Sequence, residues 1–312
     1  MNLDNKNLFL DNSVVICMLA RDCEYALKRN LRKIDNLKRY FRKASIIVVE
    51  NDSKDKTKEI LLNWKHDDED IHLIMEDTNS ITFPKRDSRS NKLPGASAFR
   101  IEKMAMFRNR YMTYIHNNLK DIDYMIVIDI DIDDFDEKQI VKSIKNAPND
   151  WNALFANGRR YYHFLDKKIG MLYYDGFAFV PYKNNVLDLT YKETFILPWK
   201  MSKNLKSSKY VPCISAFGGI GIYKYENLKN IYYSVSKNTR SEIMEVICEH
   251  ISININHPAE LKNYIVSDLK VYYEKIASRI VRNFFEKSHA NQAAFCSLSH
   301  SIFCSRRVSA LM

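Results

Sequence analysis

Only seven glycines occur in 312 residues, and three of them fall together at Gly218, Gly219 and Gly221. The cluster lacks the G-x-G-x-x-G order of a dinucleotide-binding turn and the lysine of a P-loop, so neither reading is supported. It marks a place where backbone approaches a ligand closely, or a tight turn between strands. Also missing is any CxxC pair or zinc-ligand spacing among the six cysteines, Cys17, Cys23, Cys213, Cys248, Cys296 and Cys304. Reduced thiols in a cytoplasmic protein are therefore expected. No apolar run is long enough to cross a bilayer. Residues 14–20 are too short and meet Arg21 and Asp22 at once, and residues 1–7 are polar, so no secretory leader is read here.

What is present is ordinary for a globular chain: 46% hydrophobic and 28% charged residues. The formal charge is +10, and residues 261–312 hold eight Lys/Arg against three Asp/Glu, about half of that excess. This describes either a solvated lysine-rich surface or a patch that meets anionic lipid or phosphorylated substrates.

Residues 13–19 and 45–49 read as buried β-branched strands, and 71–75 as a third. Between them, Leu27, Leu31, Ile34, Leu37 and Phe41, then Thr57, Ile60, Leu61 and Trp64, fall at helical spacing. Ser53 or Asp55 is placed to cap the second helix. Strand and helix alternating in this way predict βαβ units and a mostly parallel sheet. Residues 77–99 read as a loop, 101–119 as a helix and 124–128 as a strand. Beyond about residue 150 aromatics become dense and segments shorter, and the last 25 residues show no clear period.

The chemistry concentrates at Asp129, Asp131 and Asp133. On a strand continuing to 133 they share one face, and three like charges there repel unless a cation or a turn to solvent relieves them. Such hard oxygen ligands suit Mg²⁺ or Mn²⁺ held with a diphosphate. A calcium loop of the EF-hand type fails at its sixth and twelfth positions, which are Asp134 and Ile140. An acidic turn after a core strand is the plainer reading. Glu50, Asn51 and Asp52 end the second strand, at the edge where open parallel sheets bind ligands. Arg108 lies on the apolar stripe Ile101, Met104, Ala105, Met112, Ile115 and Leu119. A buried charge must be paired or hold an anion such as phosphate, and either role places Arg108 beside the acidic edge. Glu249 and His250 offer a carboxylate base and an imidazole ligand, with His257 a competing ligand in a loop.

These pieces resemble the GT-A glycosyltransferases, especially glycosyltransferase family 2 and the capsule-associated mannosyltransferase-like group. Residues 49–57 (VENDSKDKT) look like the family-2 stretch V-D-D-G-S-T-D-G-T, with Glu50 and Asn51 at the two carboxylate positions. Phe107-Arg108-Asn109 resembles the A-R-N motif that faces the donor diphosphate. Residues 128–131 match a hydrophobic run followed by DxD. Residues 173–178 (YYDGFA) are similar to the Y-Y-D-T-F-A segment of the capsule-associated group, and a Gly-Gly loop and a late Glu-His pair follow in order. The resemblance covers roughly residues 13–257. Asp52 and Lys56 stand where the family stretch has glycines, and Asn51 where it has a carboxylate.

The resemblance implies an α/β GT-A type fold, a mostly parallel central sheet flanked by helices, with a Rossmann-like nucleotide-binding half over 1–140 and an acceptor-binding half over 141–260. A basic helical extension is expected over 261–312. It implies a hexosyltransferase that moves sugar from a UDP- or GDP-sugar donor to a glycan or lipid-linked acceptor hydroxyl, in surface polysaccharide, lipooligosaccharide or glycoprotein glycan synthesis. Glu50, Asn51, Asp52, Arg108, Asn109, Asp129, Gly218 and Gly219 would bind the donor. Asp129, Asp131 and His250 would hold Mn²⁺ or Mg²⁺. Glu249, with Asp175 as alternative, would be the base. Aromatic residues after 150 would shape the acceptor site. No nucleic-acid partner is expected; peripheral contact with the inner face of the membrane through residues 277–287 is. Two other classes stand beside this one. A sugar-phosphate nucleotidyltransferase needs a glycine-rich loop after the first strand, and Arg21-Asp22-Cys23 is not one. A non-enzymatic polyanion-binding protein leaves the aspartates unexplained.

Overall fold

A computed structural model describes residues 8–84, 92–164, 167–184 and 186–273. Its strands are β1 (Leu10–Ala20), β2 (Phe41–Asn51), β3 (Ile71–Glu76), β4 (Tyr124–Asp129), β5 (Asp134–Phe135), β6 (Trp151–Phe164), β7 (Lys167–Tyr173), β8 (Val180–Pro181), β9 (Tyr210–Ser215), β10 (Ile220–Lys224) and β11 (Lys262–Tyr272). The helices are α1 (Glu24–Lys38), α2 (Thr57–His66), α3 (Ala98–Asn118), α4 (Glu137–Lys145), α5 (Glu193–Ser207) and α6 (Glu249–Asn254).

The strands join one 11-stranded sheet in the order β3-β2-β1-β4-β10-β6-β11-β9-β8, with β5 on β11 and β7 on β6. Pairing is parallel from β3 to β4 and between β6 and β11; β10 and β9 run against their neighbours. The sheet is thus mostly parallel, as expected. Strand alternation builds two cores. Val14, Ile16 and Met18 face α1, α2 and α4, whereas Val15 and Cys17 face α3, α5 and α6.

Two expectations need correction. The boundary at residue 261 falls in the wrong place: residues 262–272 are not the start of a helical extension but β11, deep in the sheet between β6 and β9. A bulge between Val266 and Lys270 breaks its alternation, which hides the strand from a periodicity reading. Residues 277–287 lie outside the described residues. The strand at the aspartates also stops sooner. It ends at Asp129, and residues 130–132 turn, held by Asn30 Nδ2 on the carbonyls of Ile130 and Ile132.

Candidate functional site

Parallel pairing brings the ends of β1, β2 and β4 to one edge. Leu19 of β1 pairs with Val49 on one side and Asp129 on the other. Glu50 and Asp129 therefore stand two strands apart, about 10 Å by strand spacing. Chain order reverses between β1 and β4, with β2 and β3 leading one way and β4 and β10 the other. Ligands in open α/β sheets bind at such a switch point.

Arg108 is the centre of this edge. It sits on the inner face of α3, 3% exposed. Its Nε donates to Glu249 Oε1 at 3.1 Å, and Nη2 lies 3.7 Å from Asp129 Oδ1. The guanidinium packs between the rings of Phe217 and Tyr233, at 5.6 and 5.7 Å. Asn109 fixes that wall by accepting from Tyr233 N and donating to Tyr233 O. Glu249 opens α6, and His250 beside it stacks on Phe217 at 3.9 Å. Neither ring nitrogen of His250 has a hydrogen-bond partner, and Nε2 is 4.0 Å from Glu249 Oε1. Burial, aided by the Arg108 charge, holds this imidazole neutral.

Asp129 is 29% exposed at the side chain and accepts from Tyr273 Oη at 3.2 Å. Its pKa is pushed up to about 7, chiefly by burial, with Asp131 and Asp175 raising it and Arg108 opposing. Asp175 is likewise pushed up to about 6, first by burial and then by Glu249, against hydrogen bonds from the Ala178 and Gly218 backbone. Asp175 also has φ +83°, an uncommon conformation for a side-chain-bearing residue. Four candidates distant in sequence, Arg108, Asp129, Asp175 and Glu249, thus converge. Asp131 is exposed on the turn after β4, and Asp133 pairs with Arg29 at 3.3 Å. The predicted three-carboxylate face is therefore divided.

Glu50, Asn51 and Asp52 form a second group. Glu50 is fully buried, with Oε1 accepting from Ser53 N and Oε2 without a hydrogen bond but 3.9 Å from Lys58 Nζ. Asp52, at φ +53°, accepts from the backbone N–H groups of Thr78, Asn79 and Ser80, from the Thr78 and Ser80 hydroxyls, and from Asn51. Ser53 does not cap α2; it accepts from Asp22 N, and Asp55 takes Thr57 N and Glu24 N.

Gly218 and Gly219 have φ of +63° and +94°. A side chain at Gly218 would collide with the Ala156 carbonyl, and one at Gly219 would meet Tyr273 Oη at 2.7 Å. Close chain approach explains both glycines, and Gly219 O accepts from Asp129 N. The aromatic residues differ from expectation: Trp151, Phe155, Tyr173 and Phe179 are core, while Tyr174 packs against Tyr273 with ring centres 4.0 Å apart and tilted by 50°, beside Asp129. Tyr273 was missed by sequence reasoning. Its signal was the Tyr272-Tyr273 pair ending a strand that was not recognised as one. His257 lies in a loop, bonded to the Pro258 carbonyl.

No family model and no curated protein matches this sequence. Among solved structures it is similar to a mannosyltransferase from Pyrobaculum calidifontis in complex with GDP-Man and Mn²⁺, at 12% identity and TM-score 0.47, over 94% of this chain and 70% of that one. It is similar also to S. aureus TarS residues 1–349, at 12% identity and TM-score 0.40, over 83% of this chain and 60% of that one. A mycobacterial protein overlaps at 10% identity and TM-score 0.42, over 88% of this chain and 72% of that one.

Proposed function

We propose that the chain is a divalent-metal-dependent glycosyltransferase with a nucleotide-sugar donor. The observation that carries this reading is the buried Arg108 between Asp129 and Glu249, with Asp175 alongside, at the switch point of the sheet. Four ionisable groups from separate elements gathered there, with the Asp129 and Asp175 carboxyls pushed up, support a functional site over a packing solution.

A metal fits the donor set. Asp129 and Asp131 supply hard oxygens whose mutual repulsion a cation would relieve, whereas His250, whose ring nitrogens lack hydrogen-bond partners, is not gathered with them. Among the described residues no three His, Cys, Asp or Glu side chains are gathered to hold an ion. Donor phosphates and water would complete the shell, the usual arrangement for Mg²⁺. Bound Mn²⁺ or Mg²⁺ would neutralise charge on the leaving diphosphate. Arg108 takes a phosphate oxygen through the guanidinium edge left by its long 3.7 Å contact to Asp129. At the end of β2, Asn51 would meet the nucleoside with the fully buried Glu50 behind it, and the Gly218-Gly219 backbone would border the sugar.

In the proposed transfer the bond from the sugar anomeric carbon to the diphosphate oxygen breaks, and the acceptor oxygen bonds to that carbon. The acceptor proton passes to Asp175. A base pushed up to about 6 by burial suits that task near neutral pH, while Glu249, held by Arg108, orients the guanidinium. Turnover then rises with pH through about 6. A thermal-shift series of UDP and GDP with and without Mn²⁺ tests the reading. A stabilisation that needs nucleotide and metal together, and that Asp129→Asn abolishes, is the expected result. No shift with any combination would overturn it.

A further inference from the structure

Among the described residues, the outward face of α5 gathers more exposed large apolar side chains than any other helix. Pro198, Met201, Ser202 and Leu205 turn inward, and Phe195, Ile196 and Trp199 turn out, at 37, 38 and 49% exposure. Three large apolar side chains on adjacent turns, bare to water, cost free energy unless something covers them. Around them stand Lys192, Lys200, Lys203 and Lys206, all exposed, with the Lys203 ammonium 3.7 Å from the centre of the Trp199 ring. The one acid of the helix, Glu193, is already paired with Arg240. A bulky apolar wedge in a ring of unopposed lysines fits a surface that is greasy just below a layer of negative charge. An anionic bilayer has that profile, with tryptophan and lysine at its headgroup level.

The position of the helix gives this surface a use. Gly176 follows Asp175, and a Cβ on it would collide with the Thr194 carbonyl and lie 2.8 Å from Pro198 Cγ. Ser202 Oγ accepts from Tyr173 N on the other side of the same segment. The first turns of α5 therefore press directly on the Asp175 loop. We infer that the outward face of α5 docks on an anionic membrane and presents that loop to an acceptor hydroxyl at the lipid surface. The membrane contact stands independently; the nature of the acceptor rests on the transferase reading.

The chain has three tryptophans, and only Trp199 is exposed, Trp64 and Trp151 being 9 and 6% exposed. Trp199 emission is thus a local probe. With the full chain and vesicles of phosphatidylcholine with or without 40 mol% phosphatidylglycerol (about two lipids in five), co-sedimentation, tryptophan emission and iodide quenching are read together. The anionic vesicles alone should bind the protein, blue-shift the emission and protect it from iodide. Lys200→Gln with Lys203→Gln should lower partitioning about 30-fold, at roughly fivefold per lysine near an anionic surface. Phe195→Ser with Ile196→Ser should weaken it at unchanged charge. Circular dichroism confirms that each variant is folded. Sedimentation with unchanged Trp199 emission would place the contact in residues 274–312, which hold no tryptophan, and would overturn the assignment to α5. No sedimentation would overturn it as well. Neither result touches the nucleotide and Mn²⁺ test, which reads the donor site alone.

Discussion

Two acidic centres share one edge of the sheet and are treated in opposite ways. At the end of β2, Asp52 is surrounded by donors from Thr78, Asn79, Ser80 and Asn51. Burial works to raise its pKa, but those hydrogen bonds, Ser80 first, outweigh it and hold the carboxyl well below the usual range. At the end of β4, Asp129 has a Tyr273 hydroxyl and a distant guanidinium, with Asp131 and Asp175 near, and its pKa rises instead. The first carboxylate is satisfied by the protein; the second is left wanting positive charge. A saturated carboxylate is architecture, and an under-compensated one at the switch point of a sheet invites a ligand. Asp52, grouped with the donor-binding residues on sequence grounds, thus acts first as the clamp that orders residues 78–80.

Arg108 is the cation that opposes the raised pKa of the second centre, so its loss should have the largest effect. Arg108→Met leaves Glu249 buried without its guanidinium, and urea unfolding should show a loss of about 4 kcal/mol. Adding Glu249→Gln removes the stranded carboxylate and should recover about half. If the double variant were no better than the single one, the cost would lie in packing against Phe217 and Tyr233 and not in charge. Asp52→Ala comes next, at about 2 kcal/mol, because Asn51 and the partly exposed donors of residues 78–80 lose one charged acceptor together. Faster amide exchange at Thr78, Asn79 and Ser80 should accompany it. A variant that kept its stability and lost nucleotide binding would reverse the roles of the two centres.

The contrast also separates what a sequence carries from what it does not. Arg108 was legible because a charge on an apolar helical stripe is anomalous within its own helix. Asp129 was legible because it ends a β-branched run, and β1 to β4 were readable because each strand and helix has its own period. Asp52 was not, because its acceptor role depends on a segment 26 to 28 residues away that carries no periodic signal. Nor was β11, whose bulge masks the alternation and whose place between β6 and β9 is set by long-range pairing. Tyr273 follows from β11 and was lost with it. The aromatic-rich segment misled for a related reason: density of aromatics does not say which face of a strand they occupy, and Trp151, Phe155, Tyr173 and Phe179 fill the core.

The smallest expected effect is the most discriminating, because the two centres should respond to pH with opposite sign. A carboxyl whose folded-state pKa is depressed, such as Asp52, adds stability above its unfolded pKa, and that stability is lost as pH falls. A carboxyl whose folded pKa is raised does the reverse. Between about pH 4, the ordinary carboxylate value, and the values near 6 and 7 of Asp175 and Asp129, these two groups hold more protons in the folded chain than in the unfolded one. Across that window these two groups lower stability as pH rises, and above about 7 their full cost is present. Asp129→Asn removes one of them, so it should leave stability at pH 4 nearly unchanged and raise it at pH 8 by about 1–2 kcal/mol. The gain is smaller than the whole shift because the side chain is 29% exposed and titrates together with its neighbours. Urea midpoints at pH 4, 5.5, 7 and 8 for the wild type, Asp129→Asn and Asp52→Ala would trace both slopes. If Asp129→Asn instead lost stability at pH 8 as Asp52→Ala does, Asp129 would be a structural carboxylate and the donor site would have to lie elsewhere on the edge. A gain in stability bought with a loss of nucleotide binding is the pattern expected of a residue kept for its ligand.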